Sequence, residues 1–587
     1  MISVSDVRRW RQPALDSVFQ ALGSRRDTLV GFDDELNAAK SPAGWTGEAA
    51  QAAARHHGEL TERMRRIVAG ISAVRRAVGE AADAIKAIQR TLGDAEYLAG
   101  RHGFGIADDG KIIDVLCTPV APGPAGEAQM RERATMRVEL ADRVEQVLRR
   151  ARDVDTDLAA VLERAALDRI DDGCGSSLND ASIAGQAAGG LSTIEPPAGG
   201  SPADNAGWWS SLSESEQAAM LKAHPDWLGN LDGLPAVVRD QANRARLGTE
   251  RTRLNAEAAR LEAEISALGD RLTRSSNERT DLSIANALSA AKAELNTIRA
   301  ELIPSLDAID ATLAKGDRQL LLLDTSGDKP KAAIAAGNVD TAEHVTVFTP
   351  GLGTTVRGDI QDYDRHMAQL RWQAEQEADA SGRSTSVAAV TWIGYEAPQV
   401  SEITNPNRSV ASDALAQRGA EKLAGFLNGI DASRPTDPHM TALGHSYGSL
   451  TTGLALQKGT GVDDAVFFGS PGLGTSHVEA LKVPTGHSWV IEARMDPVAD
   501  FAAFGIDPNQ MKGIGGLSAK EVVLPDGRHL NESVGHGSVA EKVGYLAPGS
   551  TSQYNMSLIV AGLHDRSVRD RAIGAGDLLQ TPIPGLY

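Results

Sequence analysis

Cysteine is almost missing from this chain: its 587 residues hold two, Cys117 and Cys174, in unrelated local contexts. A disulfide-stapled scaffold is thereby excluded, no metal-ligand spacing is present, and one bridge or two reduced thiols are the arrangements left to the pair. Aromatics are scarce at 4% while Ala and Gly are plentiful, which predicts helices that approach closely through small side chains. No run of eighteen apolar residues occurs, so no membrane-spanning helix is expected. Met1 to Asp27 is polar and broken by charge, which predicts no cleaved secretory signal. A net charge of −19 with a pI near 5.2 removes the attraction that nucleic acid or an anionic membrane would need. These features fit a cytoplasmic protein, or one exported without a cleaved signal.

A chain this long exceeds one core and predicts several domains. Residues 1–100 read as a helical hairpin. Its first helix covers about Val4 to Ala39, with Leu15, Val18, Phe19 and Leu22 at helical spacing. Ser41-Pro42-Ala43-Gly44 breaks it, and a second helix reaches about Leu92. Residues 101–170 form a connecting helical region, with a short hairpin read at Asp109-Gly110 and a helix from about Glu127 to Ile170. Residues 171–207, dense in Gly, Ala, Ser and Pro, predict a flexible linker.

Residues 208–318 predict a helical segment. Ser213 and Glu216 have capping-box spacing, and Asn230 to Pro235 reads as a turn before a helix. Two long antiparallel helices follow, Ala236 to about Leu268 and Glu278 to about Leu302. Leu247, Leu254, Leu261 and Leu268 recur every seven residues, the spacing of a coiled-coil seam. From 319 to 587, strand-like runs alternate with helices: Leu320 to Asp324, Val345 to Thr349, Val387 to Trp392, Met440 to Leu443, Ala465 to Phe468, Trp489 to Ala493 and Glu521 to Leu524. That alternation predicts a mostly parallel sheet covered on both faces.

The chemistry centres on Gly444-His445-Ser446-Tyr447-Gly448, between an apolar run and a helix-like stretch. Composition alone yields roughly 0.4 such patterns, so the strand–turn–helix context carries the weight. In that context the turn is a nucleophile elbow that lifts the Ser446 hydroxyl above a sheet edge. A serine hydroxyl needs a base, and the base needs an orienting acid, in the chain order serine, acid, histidine. Asp496 follows the strand Trp489 to Ala493 and fits the acid; Asp500 and Asp507 are its competitors. His536, flanked by Gly535 and Gly537, fits the base. His529 sits in a surface-like turn, and His487 comes too early. Backbone N–H donors for an oxyanion are assigned to Tyr447 and to the Pro350-Gly351-Leu352-Gly353 loop, with Leu352 as the donor and Gly351 and Gly353 as neighbours able to replace it. No metal and no organic cofactor is called for.

Several ordered motifs together resemble an actinobacterial α/β-hydrolase family of undefined substrate. They are Trp208-Trp209, Gly229-Asn230-Leu231-Asp232-Gly233-Leu234-Pro235, Arg239-Asp240-x-Ala242-Asn243-Arg244, Pro350-Gly351-Leu352-Gly353, the Ser446 elbow, Asp496-Pro497-Val498 and Gly535-His536. The resemblance spans about 208 to 570 and implies the α/β-hydrolase fold and a Ser446, Asp496, His536 triad. Trp45-Thr46-Gly47 at the bend of the N-terminal hairpin resembles the Trp-x-Gly family of type VII secretion, although Tyr97 is followed four residues on by Arg101 where that family's export signal has an acid. The overall expectation is a multidomain α and α/β chain: an N-terminal helical module, a helical hairpin, and a C-terminal α/β-hydrolase domain. The expected function is serine hydrolysis of a carboxylic ester or related acyl compound, small-molecule or lipid. The alternative is a secretion-linked interaction or effector protein with a weakly active or inactive hydrolase fold. The helical module is then the surface for a helical partner or a second copy.

Overall fold

Small side chains decide how the first helices pack. The computed structural model describes residues 2–40, 44–116, 124–274, 278–383, 385–499, 503–540 and 543–569. It divides into two units, Met1–Val120 with Gln129–Ala219, and Ala121–Ala128 with Met220–Tyr587. Ser41 to Ala43, Cys117 and Asp500 lie outside the described residues, and Cys174 is a free, exposed thiol.

In the first unit three helices, α1 (Val4–Arg9), α2 (Gln12–Val30) and α3 (Asp33–Ala38), replace the single one expected over Val4 to Ala39. Trp10 is extended, and Pro13 sits in the opening turn of α2, where its missing N–H costs nothing. α4 (Glu48–Arg101) runs for 54 residues and buries Ala69, Ala73, Ala77, Ala81 and Ala84. β1 (Phe104–Ile106) and β2 (Ile112–Asp114) pair around Asp109 and Gly110, whose φ is 85°. α5 (Pro124–Ala166) follows.

The stretch from 171 to 207 is structured, contrary to the linker its composition suggests. α6 (Leu178–Ala188) and α7 (Pro202–Ser210) each open with a capping box, Ser177 with Asp180 and Ser201 with Asp204. A Cβ on Gly185 or Gly189 would collide with the backbone of Ala69 or Ala73, and Ser182 meets Ser72 at 3.0 Å. Here Gly, Ala and Ser let helices touch, which composition alone does not distinguish from chain mobility. Trp208 and Trp209 are buried in α7, so the unit boundary falls after Ala219 instead of at Trp208.

The Ser213–Glu216 capping box opens α8 (Glu214–Ala223), and α9 (Pro225–Leu228) follows. In the second unit α10 (Ala236–Arg274) buries Leu247, Leu254, Leu261 and Leu268. α11 (Glu278–Thr297) continues through a π-helical turn at Ile298–Leu302 into α12 (Ile303–Leu313). Ala291 and Ile298 share an apolar cluster with Leu247, Leu254 and Leu261.

The strands are β3 (Arg318–Asp324), β4 (Lys331–Ala336), β5 (His344–Thr349), β6 (Val387–Ile393), β7 (His439–His445), β8 (Asp464–Phe468), β9 (Ser488–Ile491) and β10 (Gly515–Leu517). They form one sheet in the order β10-β9-β8-β7-β5-β6-β4-β3. Only β4 runs against the rest, antiparallel to both β6 and β3. Among the helices packed on this sheet are α13 (Val356–Asp379), α14 (Ala414–Ala432), α15 (Tyr447–Leu456) and α16 (Thr551–Val560). Alternating residues of β8 feed opposite cores: Val466 and Phe468 join α13 and α16, whereas Ala465 and Phe467 join α14 and α15.

Two differences from the sequence reading concern strands. β4 is alanine-rich and buried at every position, so it lacks alternation and has a single β-branched residue, Ile334. The run Glu521 to Leu524 supplies β11 (Val522–Val523), which pairs with β12 (His529–Leu530) outside the main sheet; the last strand of the sheet is the three-residue β10.

The Gly229–Pro235 and Arg239–Arg244 motifs cover the β3 edge. Asn230 Oδ1 accepts from Leu323 N–H at 3.0 Å while its Nδ2 donates to Leu323 O at 2.8 Å. Asp240 accepts from Leu320 N–H at 2.7 Å, and Asn243 Nδ2 donates to Leu320 O and Gly229 O. Two side-chain amides and a carboxylate thus occupy ladder positions that would otherwise invite another strand. Asn243 is fully buried, so Asn243→Ala should lower the unfolding free energy by about 1–3 kcal/mol in urea. An unchanged midpoint would contradict this role.

Candidate active site

The site is built where parallel strands end. Ser446 joins β7 to α15 with φ 54° and ψ −132°, a backbone conformation that L-residues adopt only under constraint. Its N–H donates to Phe468 O at 3.1 Å, and its carbonyl accepts from Ser449 N–H and Oγ–H. The turn is tight on both sides. A Cβ on Gly448 would strike the carbonyls of Thr349 and Pro350, and one on Gly444 would lie 2.7 Å from Ser449 Cα.

Three side chains far apart in sequence meet here. His536 Nε2 lies 2.8 Å from Ser446 Oγ, and His536 Nδ1 lies 2.8 and 3.0 Å from the two oxygens of Asp496. The partners assign the tautomer: Nδ1–H donates to the carboxylate, leaving the Nε2 lone pair toward the hydroxyl. Asp496 is buried, and its Oδ1 also accepts from Val498 N–H at 3.0 Å, so the turn-capping role open to an Asp before Pro497 operates alongside the contact with His536. Burial pushes its carboxyl pKa up, but hydrogen bonds from His536 and Tyr545 more than reverse this and hold it below the usual carboxylate range.

The Tyr447 N–H opens α15, among the first-turn donors that lack an intrahelical acceptor. Gly351 lies against the serine: a Cβ there would sit 2.6 Å from Ser446 Cβ and 3.0 Å from its Oγ. Leu352 follows and is exposed. Gly353 is corrected as an alternative donor, because its N–H already donates to Pro398 O at 2.9 Å. Among the rivals, His529 is an exposed partner of Glu521, Asp507 caps a short 3-10 turn at Asn509, and His487 precedes β9 at the opposite end of the strands.

Sequence reasoning missed three supports. Tyr545 donates its hydroxyl proton to Asp496 Oδ2 at 2.7 Å and accepts from Ala493 N–H at 2.8 Å, tying the acid to the end of β9. Gly469, at φ 55°, ends β8 where a Cβ would come 2.8 Å from Asp496 Oδ2 and 3.1 Å from His536 Nδ1. The Gly469-Ser470-Pro471-Gly472 run carried a signal for a constrained turn. His445, inside the elbow itself, donates from Nε2 to the His536 carbonyl at 2.9 Å, and the two rings lie 4.9 Å apart. Burial, reinforced by the neighbouring His536, depresses the His445 pKa to about 3, so this ring is neutral.

A family profile described as Alpha/beta hydrolase matches residues 326–506, a stretch that takes in Gly351, Ser446 and Asp496 and ends before His536. Uncharacterized proteins of Mycobacterium tuberculosis and Mycobacterium bovis are each 36% identical over 225 residues, 37% of this chain and 82% of theirs. Another uncharacterized protein of M. tuberculosis is 31% identical over 310 residues, 52% of this chain and 45% of its own length. Among solved structures, a Pyrobaculum calidifontis esterase in its monoclinic form matches with a TM-score of 0.26 and 14% identity, over 46% of this chain and 93% of that one.

The buried neutral His445 has a consequence for acid stability. An unfolded histidine takes up its proton near pH 6.5, whereas the folded one resists until about pH 3. Its stabilising contribution is therefore complete above about pH 6.5 and is lost as the pH falls toward 3, by up to about 1.4 kcal/mol per pH unit. In urea unfolding between pH 4 and 7, His445→Gln should flatten the pH slope by that amount. Equal slopes in both proteins would contradict the assignment.

Proposed function

The chain belongs to the alpha/beta hydrolase family, and on that premise we propose that it is a serine hydrolase that cleaves a carboxylic ester or related acyl substrate. One observation carries the reading: the continuous hydrogen-bonded chain from Ser446 Oγ through His536 to Asp496. His536 Nε2 takes the hydroxyl proton as Ser446 Oγ bonds to the acyl carbon. The oxyanion meets the N–H groups of Tyr447 and Leu352. Collapse breaks the bond to the leaving alcohol, which receives the proton from His536. Water, deprotonated by the same imidazole, then releases the acid and restores the serine. Asp496 keeps the ring in its tautomer and stabilises the imidazolium between steps. Its carboxylate is itself fixed by Tyr545.

The margin of the site supports an apolar acyl group. Leu352 next to Gly351 and Met495 next to Asp496 are both exposed. A second reading, a secretion-linked interaction protein with little turnover, is favoured by Trp45, which is 48% exposed just before α4. The two readings separate in one assay on the full chain, with 4-nitrophenyl esters of graded acyl length. Hydrolysis by the wild type should disappear in Ser446→Ala, and Asp496→Asn should cut kcat by about 10³–10⁴. Wild type and Ser446→Ala turning over alike would remove the hydrolase reading.

A further inference from the structure

A second group of polar side chains lies at the opposite end of the same strands. His344 starts β5, His439 starts β7, Asp464 starts β8, His487 directly precedes β9, and His564 follows α16. The seven residues of β7 alone put this cluster roughly 20 Å from the Ser446 turn. At its centre Asp464 is fully buried. Its Oδ1 accepts from Trp489 Nε1–H at 3.0 Å and faces His487 Nδ1 at 3.0 Å, and its Oδ2 faces His439 Nε2 at 2.9 Å. Beyond His439, the Nδ1 atoms of His439 and His344 are 2.9 Å apart.

One member of the cluster is unsatisfied. His564 Nδ1 is buried without a hydrogen-bond partner, yet it is aimed at Asp464 Oδ2 from 3.9 Å, too far for a hydrogen bond. Leaving a buried ring nitrogen unpaired beside a carboxylate is costly unless something sits between them. One ligand atom from each of Asp464, His487 and His564 lies within 4.8 Å of the others. Metal–ligand bonds of about 2.0–2.2 Å place tetrahedral ligand atoms roughly 3.3 Å apart, so shifts of about an ångström or less close the set.

We propose that Asp464, His487 and His564 bind one divalent transition-metal ion of the zinc class. Two imidazoles and one carboxylate suit such an ion better than magnesium or calcium, which prefer all-oxygen cages. His439 donates to the ligating carboxylate, with His344 behind it, and the Trp489 indole holds the other oxygen; these are the outer contacts that orient a ligand. His487 and His564 are partly exposed, at 34% and 28% of their side chains, which gives the ion a route in from solvent. Binding displaces the proton between His487 Nδ1 and Asp464.

The full chain, stripped with a chelator, should take up one Zn²⁺ per molecule in calorimetric titration. Co²⁺ should give a ligand-field absorption that Zn²⁺ displaces. His487→Gln and His564→Gln should each weaken binding at least tenfold. A wild type that binds no ion, or variants that bind as tightly, would overturn the proposal. Should the variants fail to fold, an anomalous peak in zinc-soaked wild-type crystals decides it. The ion should lie within bonding distance of all three ligand atoms, and a zinc site elsewhere or none at all contradicts the assignment.

Discussion

The left-handed turn at Ser446 is the constraint on which the site depends. An L-residue at φ 54° is destabilised by about 1–3 kcal/mol unless its surroundings hold it there. Here they do so from every side. β7 is paired with β5 and β8 in a parallel ladder, the serine N–H is taken by the end of β8, and α15 is buried from its first residue. Gly444 and Gly448 contribute by lacking a Cβ where backbone passes. With the turn fixed, the hydroxyl meets His536 Nε2 at 2.8 Å, and the other partners arrive from strand ends at the same edge.

Those partners are held by tertiary contacts with no local sequence signature. Asp496 is anchored by the turn to Val498 and by Tyr545, which in turn grips the backbone at Ala493. The ring of His536 is aimed through its backbone: its carbonyl accepts from the neutral ring of His445, and the preceding Gly535 N–H donates to Arg494 O. Gly469 leaves the space in which acid and imidazole meet. The far sheet edge is closed by Asn230, Asp240 and Asn243, so the motifs around them in sequence serve the scaffold and not the chemistry.

Much of this was legible where short-range rules operate. The strand–turn–helix around Ser446, the acid after the β9 run and the glycine-flanked His536 follow from chain order and local pattern, and the structure brings all three within hydrogen-bonding distance. β4 was not legible, because its six buried, alanine-rich residues carry no alternation and one β-branched side chain, Ile334. The 171–207 stretch misled because close helix packing and chain mobility draw on the same small residues. Gly353 was plausible until Pro398, 45 residues away, took its N–H. The histidine cluster around Asp464 was invisible for the same reason: its members are spread over 344 to 564, and strand register alone unites them.

The central claim is that Ser446 is the hydroxyl this fold activates. Reaction of the full chain with a fluorophosphonate, followed by digestion and peptide mapping by mass spectrometry, tests it most directly. The account predicts one phosphonyl group per chain, on Ser446. A group carried by another residue, or no adduct on a folded chain, would contradict it.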